Sequence, residues 1–305
     1  MKVLIATEKP FASAAIAQMR EVLEGAGMEV ALLEKYQTKE ELLAAVKDVD
    51  GIIIRSDIVD QEVIEAAPEL KLIVRAGAGY DNIDLNAATQ KGIVAMNTPG
   101  QNANAVAELV FGMLVLMARN NYDGSVGTEL KGKTLGLHAY GNVSRNVARI
   151  AKGFGMTVLA YDPFLSADQI KAEGVQPVES VEELYDKSQY VSLHIPATPA
   201  TIHSINYDLL SRMPKGATLI NTARKEVIDE DGMLKLMGER PDFTYVSDIR
   251  PGKADEFITR FQDRIFFTPK KMGAQTKEAN VNAGIAAAHQ SVDFLKNGND
   301  KFRVN

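Results

Sequence analysis

Short apolar runs alternate with helical patterns along the whole chain. The runs are continuous rather than alternating, which is typical of parallel strands covered on both faces. In the first block they lie at 2–6, 30–34, 51–55, 71–76 and 92–97. After "NNYDGSVG" the pattern restarts, with runs at 133–139, 157–162, 189–195, 217–223, 243–248 and 264–268. Two blocks of this kind in series predict an α/β protein with two doubly wound, Rossmann-like domains.

Polar residues that favour helix starts stand between these runs. The spacing predicts capping boxes at Thr38 with Glu41 and at Ser180 with Glu183. Asp60 and Asp84 are further expected caps, and helices are predicted to begin near Asn142, Ser166, Asn206 and Asp229. A long apolar helix is predicted over 102–120.

The last helical pattern follows the final strand of the second block. It places Val281, Ile285, Ala288, Val292 and Leu295 on one face. We expect this face to pack on the first block, which would make the first domain discontinuous. The predicted domains are therefore 1–97 with 278–305, and 98–277.

Composition narrows the classes of function. The chain has 305 residues and a formal net charge of -6, which argues against a general nucleic-acid binder. It has no cysteine, which excludes disulfides and thiolate chemistry, and its histidines lack metal-like spacing, so no metal site is expected. The longest apolar stretch, 106–118, is too short to span a bilayer, and the amino terminus lacks a secretory pattern. We expect a soluble, cytoplasmic protein that does not bind membranes.

A strand, a tight turn and a helix start follow one another in "TLGLHAYGNVSRNVA". A dinucleotide fingerprint would place glycines at 139, 141 and 144, where this chain has Ala139, Gly141 and Ser144. Asp162 ends the next strand, where a carboxylate accepts hydrogen bonds from the ribose hydroxyls and repels a 2′-phosphate. The turn predicts a dinucleotide site with NAD favoured over NADP. The alternative is a helix cap or a strand-end turn.

Several longer stretches carry a family resemblance. These are "VRAGAGYDNIDLNAATQKGI" (74–93), "NTPGQNANAVAELVFGMLVLMAR" (97–119), "ELKGKTLG" (129–136), "SLHIPATPAT" (192–201), "LINTARKEVIDEDGML" (219–234) and "GAQTKEAN" (273–280). With them the chain resembles the D-2-hydroxyacid dehydrogenase family, and within it the phosphoglycerate branch. The resemblance implies two Rossmann-like domains with a cleft between them, the discontinuous one binding substrate and 98–277 binding the dinucleotide. It also implies a homodimer, which the long helix at 102–120 favours.

The resemblance implies hydride transfer between C2 of a 2-hydroxy acid and the nicotinamide of NAD. Arg224, in "NTARKE", matches the catalytic arginine, although an arginine after a strand is otherwise a surface cation. Ala78 and Gly79 match the loop whose N–H groups receive the substrate carboxylate. His194 matches the lip of the cofactor site, or is a strand-end histidine with a structural role. The full set of expected cofactor-binding residues is Ala139, Gly141, Asn142, Val143, Asp162, His194, Pro196, Thr201, Thr222, Ala223, Asp248 and Gly273.

Two arginines suggest the substrate. Arg55 with Ser56 ends one strand of the first block and Arg75 ends the next, so both lie at the same sheet edge. They suit a phosphate, or are solvated loop cations. The expected reaction is NAD-dependent oxidation of D-3-phosphoglycerate to 3-phosphohydroxypyruvate, the first step of serine biosynthesis. The alternatives are a hydroxypyruvate or glyoxylate reductase of the same family and a non-catalytic NAD(H)-binding regulatory protein.

The chain departs from the family pattern at its proton-exchanging group. The histidine of the family's "P-H-x-G" is absent, and "TPKKMGAQT" places Lys270 or Lys271 there. A free lysine has a pKa near 10.4 and a useful base needs about 7–8, so we expect burial and neighbouring cations to lower it. The family's usual carboxylate also lacks a counterpart near Lys253, and Asp255 or Glu256 would serve only if the loop shifts.

Overall fold

The computed structural model describes residues 1–305 and contains two sheets. The 5-stranded sheet has the order β2-β1-β3-β4-β5, and the 7-stranded sheet has the order β12-β11-β10-β9-β6-β7-β8. The strands are β1 Lys2–Thr7, β2 Glu29–Glu34, β3 Gly51–Ile54, β4 Leu72–Arg75, β5 Val94–Asn97, β6 Thr134–His138, β7 Thr157–Tyr161, β8 Gln176–Pro177, β9 Tyr190–Leu193, β10 Thr218–Asn221, β11 Thr244–Ser247 and β12 Ile265–Phe267. Each predicted apolar run contains a strand, and only the two-residue β8 was not predicted.

Both sheets are parallel throughout and doubly wound, which confirms the predicted fold class. Counted from β6, the larger sheet has the dinucleotide-binding order 3-2-1-4-5-6 with one further strand. The smaller sheet has the flavodoxin-like order 2-1-3-4-5. Successive crossovers lead towards opposite edges of the sheet on the two sides of a switch point, which lies between β6 and β9 in the larger sheet and between β1 and β3 in the smaller one. Ligands of such sheets bind at the carboxyl ends of those strands.

Twelve α-helices connect the strands. They are α1 Ser13–Gly25, α2 Lys39–Ala45, α3 Gln61–Glu65, α4 Leu85–Gln90, α5 Ala103–Ala118, α6 Asn142–Gly153, α7 Ala167–Ala172, α8 Val181–Lys187, α9 Tyr207–Ser211, α10 Glu230–Glu239, α11 Ala254–Phe261 and α12 Lys277–Asn297. Short 3₁₀ helices occupy Asn120–Tyr122, Lys225–Val227 and Gln262–Arg264. None of these helices has the length and hydrophobicity of a membrane-spanning segment.

Most of the predicted helix caps are present. The capping box at Thr38 and Glu41 is complete, and Asp60 and Asp84 accept hydrogen bonds from the N–H groups of their helices. The predicted box at Ser180 is only half formed. Ser180 Oγ accepts from the Glu183 N–H, but the Glu183 carboxylate accepts from the N–H of Glu179, one residue before the cap.

The predicted face of α12 packs on the core of the first block through Ala288, Val281, Val292 and Leu295, but the buried side of the helix is wider than this face. Its buried positions are Ala279, Ala283, Gly284, Ala287, Ala288 and Ser291, whereas Val281, Ile285, Val292 and Leu295 are only partly buried. The reason is close packing against α1. A Cβ added at Gly284 would stand 2.8 Å from the sulfur of Met19, so small residues are needed where the two helices meet.

Contacts divide the chain into two compact units, 1–102 with 275–305 (unit 1) and 103–274 (unit 2). The expected boundaries were 97/98 and 277/278. In each unit apolar side chains cover both faces of the sheet. Alternate residues of β1 show this, because Leu4 belongs to one core cluster and Ile5 to the cluster on the other face.

Candidate active site

The turn after β6 is built for close approach of a ligand. Ala139 has φ 74°, a left-handed conformation that glycine adopts more readily. Ser144 is fully buried, and its hydroxyl donates a 2.6 Å hydrogen bond to the Ala139 carbonyl. These two contacts show how the turn forms with one glycine of the three-glycine fingerprint. A Cβ added at Gly141 would meet no atom within 4 Å, so packing within the protein does not require glycine there.

The start of α6 supplies hydrogen-bond donors at this turn. Gly141 is the N-cap and provides no side-chain acceptor, which leaves the first-turn N–H groups of Asn142 and Val143 for an anion. Asp162, at the end of β7, accepts from the N–H groups of Tyr140 at 2.8 Å and Phe164 at 2.9 Å. Open space at Gly141, uncapped donors and a partly exposed carboxylate on the next strand fit a dinucleotide.

Two histidines mark the ends of β6 and β9, where the crossover direction reverses: His138 is the last residue of β6, and His194 follows β9. The His194 N–H donates to the His138 carbonyl, and His138 Nδ1 lies 3.2 Å from the Tyr185 hydroxyl. Burial lowers the pKa of His138 to about 4, and burial together with the neighbouring His138 lowers the pKa of His194 to about 3. Both rings are therefore neutral near pH 7. His194 Nε2 is shielded from solvent and has no hydrogen-bond partner in the protein.

The segment after His194 is held by its own side chains. The Thr201 hydroxyl lies 2.5 Å from the Pro196 carbonyl and accepts from the Thr198 N–H at 2.8 Å. Thr222, at the end of β10, has a buried hydroxyl without a partner in the protein. His194 and Thr222 thus both retain hydrogen-bonding capacity at the same edge of the sheet.

Asn221 shapes the turn that presents Arg224. Its side-chain oxygen accepts from the Ala223 N–H at 2.9 Å, and its amide donates to the Arg224 carbonyl at 2.9 Å. The guanidinium of Arg224 then donates through NH1 to the Ala223 carbonyl at 2.9 Å. The turn therefore fixes the direction of the Ala223 carbonyl, and this carbonyl orients the arginine.

The structure distinguishes the two lysines. Lys271 Nζ donates to the same Ala223 carbonyl at 3.3 Å, so one oxygen atom brings the amine of Lys271 and the guanidinium of Arg224 together. Lys270 contributes only its backbone carbonyl, which lies 2.9 Å from the Thr268 hydroxyl. Both lysines are exposed, so the burial that we expected is wrong.

Asp248 holds the loop that carries these lysines. It is 1% exposed, and its carboxylate accepts from the N–H groups of Met272 at 2.9 Å and Gly273 at 2.7 Å. Thr268 lies 3.1 Å from the same carboxylate. The sequence indicated Asp248 as a strand-end residue but gave no sign of these contacts. Its expected role in cofactor binding stays a prediction.

Asp255 and Glu256 lie on α11 in surface ion pairs. The Asp255 side chain is 94% exposed and pairs with Arg250 at 2.7 Å, and Glu256 pairs with Arg260 at 2.9 Å. Lys253, at the expected position of the family's carboxylate, pairs with Asp231. No group of three or more histidine, cysteine or acidic side chains is arranged to hold a metal ion.

In unit 1 the predicted substrate arginines are closely tied to backbone. Arg55 donates through NH1 to the carbonyls of Lys9 and Pro10 and through NH2 to the side chain of Asn280. Arg75 donates through Nε to the Arg55 carbonyl at 2.9 Å, and its guanidinium lies over Gly77, where any Cβ would collide with it. Much of the donor capacity of Arg55 therefore serves the fold.

The loop of Ala78 and Gly79 is anchored from β5. Asn97 donates from its amide to the Ala78 carbonyl at 2.6 Å, and the Thr98 N–H donates to the Gly77 carbonyl at 2.9 Å. The N–H groups of Ala78 and Gly79 donate to no backbone carbonyl. Ser56 is exposed at the neighbouring strand end. The loop is thus fixed through its carbonyls while its donors stay open to an anion.

Residues 112–269, within unit 2, match the family described as D-isomer specific 2-hydroxyacid dehydrogenase, NAD binding domain. The chain belongs to this family. A crystal structure of NAD⁺-bound 3-phosphoglycerate dehydrogenase from Entamoeba histolytica is similar over 100% of this chain and 98% of its own, with a TM-score of 0.89 and 48% identity.

Two curated relatives of the family are similar in sequence. The D-3-phosphoglycerate dehydrogenase of Methanocaldococcus jannaschii is 37% identical over 276 residues, which cover 85% of this chain and 52% of the relative. The hydroxypyruvate reductase of Thermotoga maritima is 36% identical over 278 residues, which cover 84% of this chain and 88% of the relative. The chain spans about half the length of the curated D-3-phosphoglycerate dehydrogenases that it matches. Unit 2 is thus the family's NAD-binding domain.

Proposed function

We propose that the protein is an NAD-dependent oxidoreductase that converts D-3-phosphoglycerate to 3-phosphohydroxypyruvate. The supporting observation is the shared Ala223 carbonyl, which brings the guanidinium of Arg224 and the amine of Lys271 together in the NAD-binding domain. A permanent cation beside a proton-exchanging amine is what oxidation of a 2-hydroxy acid requires from the protein. The names of relatives that cover most of this chain support the substrate.

Residues of unit 2 would hold NAD. The N–H groups of Asn142 and Val143 would bind the pyrophosphate, Gly141 would allow its close approach, and the Asp162 carboxylate would accept from the ribose hydroxyls. When bound, NAD supplies the acceptor for the hydride that leaves C2 of the substrate. His194 Nε2 and the Thr222 hydroxyl, both without partners in the protein, are further candidates for contacts with it.

Lys271 would move the proton. In its neutral form the amine accepts the proton of the C2 hydroxyl as the C–O bond gains double-bond character, and the resulting ammonium returns the proton in the reverse direction. Arg224 stays charged at any working pH and would stabilise the negative charge that develops on the C2 oxygen.

In unit 1, residues at the carboxyl ends of β3 and β4 are candidates for contacts with the acidic groups of the substrate. The N–H groups of Ala78 and Gly79 suit a carboxylate, and Arg75 with Arg55 suits a phosphate.

One observation favours a second candidate function, that of a hydroxypyruvate reductase. Arg55 already donates to two carbonyls and to Asn280, and the T. maritima relative that bears this name is covered over 88% of its length.

Turnover assays test the proposal. The purified protein should produce NADH from D-3-phosphoglycerate at alkaline pH and consume NADH with 3-phosphohydroxypyruvate. Arg224→Ala should reduce kcat/KM by at least about 1,000-fold, because an electrostatic contact made in the transition state is lost. Arg260→Ala, on the exposed face of α11, is the matched control and should change it less than twofold.

Arg75→Ala separates the two substrates. It should raise KM for the phosphorylated substrate at least about tenfold and leave KM for hydroxypyruvate within about twofold, since only the former carries a phosphate. Turnover of hydroxypyruvate alone would favour the second candidate. Tight NADH binding without turnover of any 2-keto acid would favour the non-catalytic regulatory protein.

The homodimer and the cytoplasmic location stay predictions. Light scattering of the purified protein tests the homodimer.

A further inference from the structure

The loop between β12 and α12 is tied to the end of β11 by one buried carboxylate. Asp248 follows β11, is 1% exposed, and donates its own N–H to the Asn221 carbonyl at 3.0 Å. Oδ1 accepts from the Met272 N–H at 2.9 Å and Oδ2 from the Gly273 N–H at 2.7 Å. Both acceptors are thus directed at the two residues that follow Lys271.

Thr268 fixes the other side of the loop. Its hydroxyl lies 2.9 Å from the Asp248 carbonyl, 3.1 Å from Asp248 Oδ1 and 2.9 Å from the Lys270 carbonyl, and it is 2% exposed. Its single hydrogen donates to one of these oxygens at a time. Lys270 and Lys271 therefore lie between two anchors that both converge on Asp248.

The hydrogen bonds between Asp248 and the loop require glycine at position 273. A Cβ at this position would stand 2.8 Å from Asp248 Oδ2 and 3.2 Å from a methyl group of Val106. Because the Asp248 carboxylate and Val106 of α5 leave no room for a side chain, the 2.7 Å hydrogen bond from the Gly273 N–H depends on glycine. This glycine is therefore explained by contacts within unit 2.

The Arg224 turn is linked to the same network. Asn221 accepts the Asp248 N–H through its carbonyl and shapes the turn of Ala223 and Arg224 through its side chain. We infer that Asp248 is a positioning residue, whose carboxylate holds the 268–273 loop so that Lys271 Nζ lies at the Ala223 carbonyl beside Arg224. The expected effect of Asp248 on proton transfer rests on the proposed function.

Asp248→Asn tests the inference by replacing one acceptor oxygen with an NH₂ group. An amide cannot accept from both the Met272 and Gly273 N–H groups, because one side then presents donor to donor. We expect kcat to fall about 10- to 100-fold and the alkaline rise of the pH–rate profile to shift. Asp263→Asn, an exposed carboxylate of the same unit, is the matched control and should change none of these.

Amide hydrogen exchange follows the loop without relying on turnover. In Asp248→Asn the protection of the Met272 and Gly273 amides should fall at least tenfold, while Asp263→Asn leaves it unchanged. Acylation of lysines under limiting reagent, read by mass spectrometry, should show Lys271 changing its reactivity relative to Lys270. These two readouts test the anchoring of the loop even if the protein turns over no 2-hydroxy acid. Absence of turnover would overturn the proposed function but not the anchoring.

Gly273→Ala approaches the same contact from the loop side and serves if Asp248→Asn does not fold. It should reproduce the loss of protection at residues 272–273 and the fall in kcat. Thr268→Val keeps both backbone bonds and should have a smaller effect, about threefold. Unchanged exchange at residues 272–273 in both variants, or an unshifted pH–rate profile, would overturn the positioning role.

Discussion

The two sheets of this chain are both doubly wound, but they present different backbone groups where the crossover direction reverses. In unit 2, the turn after β6 presents N–H groups around Gly141 and leaves space beside it. In unit 1, the segment after β1 presents carbonyls instead, and those of Lys9 and Pro10 are taken by the guanidinium of Arg55. The same architecture therefore offers hydrogen-bond donors in one unit and acceptors in the other.

In each unit an aspartate that follows a neighbouring strand shows the same contrast. Asp162 accepts two backbone N–H groups and stays partly exposed. Asp57 is 3% exposed and accepts from the N–H groups of Glu8 and Arg55 and from the Tyr36 hydroxyl. One carboxylate keeps capacity for a ligand, and the other is saturated by its own unit. The strand order alone does not determine which unit binds a dinucleotide, whereas the polarity of the turn does.

Gly141→Val should have the largest effect, because it fills the space of unit 2 that we assign to the pyrophosphate. We expect the Kd of NADH to rise at least about 100-fold, with the free energy of unfolding changed by less than about 1 kcal/mol. Fluorescence titration and chemical denaturation measure the two. Gly153→Val, at the other end of α6 and also in open space, is the control. Equal loss of affinity in both variants would contradict the assignment.

Asp57→Ala, in unit 1, should lower the stability of the fold and leave the affinity for NADH nearly unchanged. It removes the acceptor of three donors in a buried place, so the free energy of unfolding should fall by about 3 kcal/mol. Denaturant titration measures this, and NADH affinity should stay within about twofold. Asp48→Ala removes a carboxylate that is 69% exposed and paired with Lys2, and should cost less than about 1 kcal/mol. Similar effects in the two variants would show that Asp57 is not a structural anchor.

The two histidines of unit 2 predict a loss of stability in acid. Their folded-state pKa values, about 4 for His138 and about 3 for His194, lie below the unfolded value of 6.5. The unfolded chain therefore binds protons first, and stability is lost as the pH falls from about 6.5 towards these values. At pH 5 each histidine should cost about 2 kcal/mol. Denaturation at pH 7 and pH 5 measures the difference.

His138→Asn should reduce that pH dependence by about half. His289→Asn, which replaces an exposed histidine of unit 1, should leave it unchanged. A wild-type stability that does not fall between pH 7 and pH 5 would show that the two rings are not held neutral by burial.

Ala139→Gly should have the smallest effect. Glycine adopts the positive φ of this position more readily, so the free energy of unfolding should rise by about 1 kcal/mol. Ala167→Gly, at the first residue of α7, should lower it by up to about 1 kcal/mol because glycine is a poor helix former. A destabilised Ala139→Gly would mean that the methyl group contributes packing that outweighs the backbone conformation.

Local signals were sufficient for much of the fold. Continuous apolar runs located the strands, and Asp60 and Asp84 cap their helices as predicted. Ser180 shows a limit, because the choice of Glu183 between two adjacent N–H groups depends on the geometry of the turn. The alanine side of α12 shows another, since helix packing buried small residues in preference to the larger apolar ones.

The candidate site was predictable by residue type but not by contact. The pattern "TPKKMG" indicated a lysine in the proton-exchanging position, but it did not distinguish Lys270 from Lys271. Their difference arises from a backbone carbonyl, Ala223, that lies far away in sequence. The anchoring of the loop by Asp248 was likewise not predictable, because a strand-end aspartate has the same sequence pattern whether it binds a ligand or a neighbouring loop.

The assignment of Lys271 is the central claim, and single-turnover NADH formation in lysine variants tests it most directly. Lys271→Met should slow NADH formation from D-3-phosphoglycerate at least about 100-fold and remove its rise with pH, because no neutral amine remains to accept the hydroxyl proton. Lys270→Met, the adjacent control, should stay within about threefold of wild type with its pH profile intact. The reverse result, or equal retention of activity in both variants, would contradict the account.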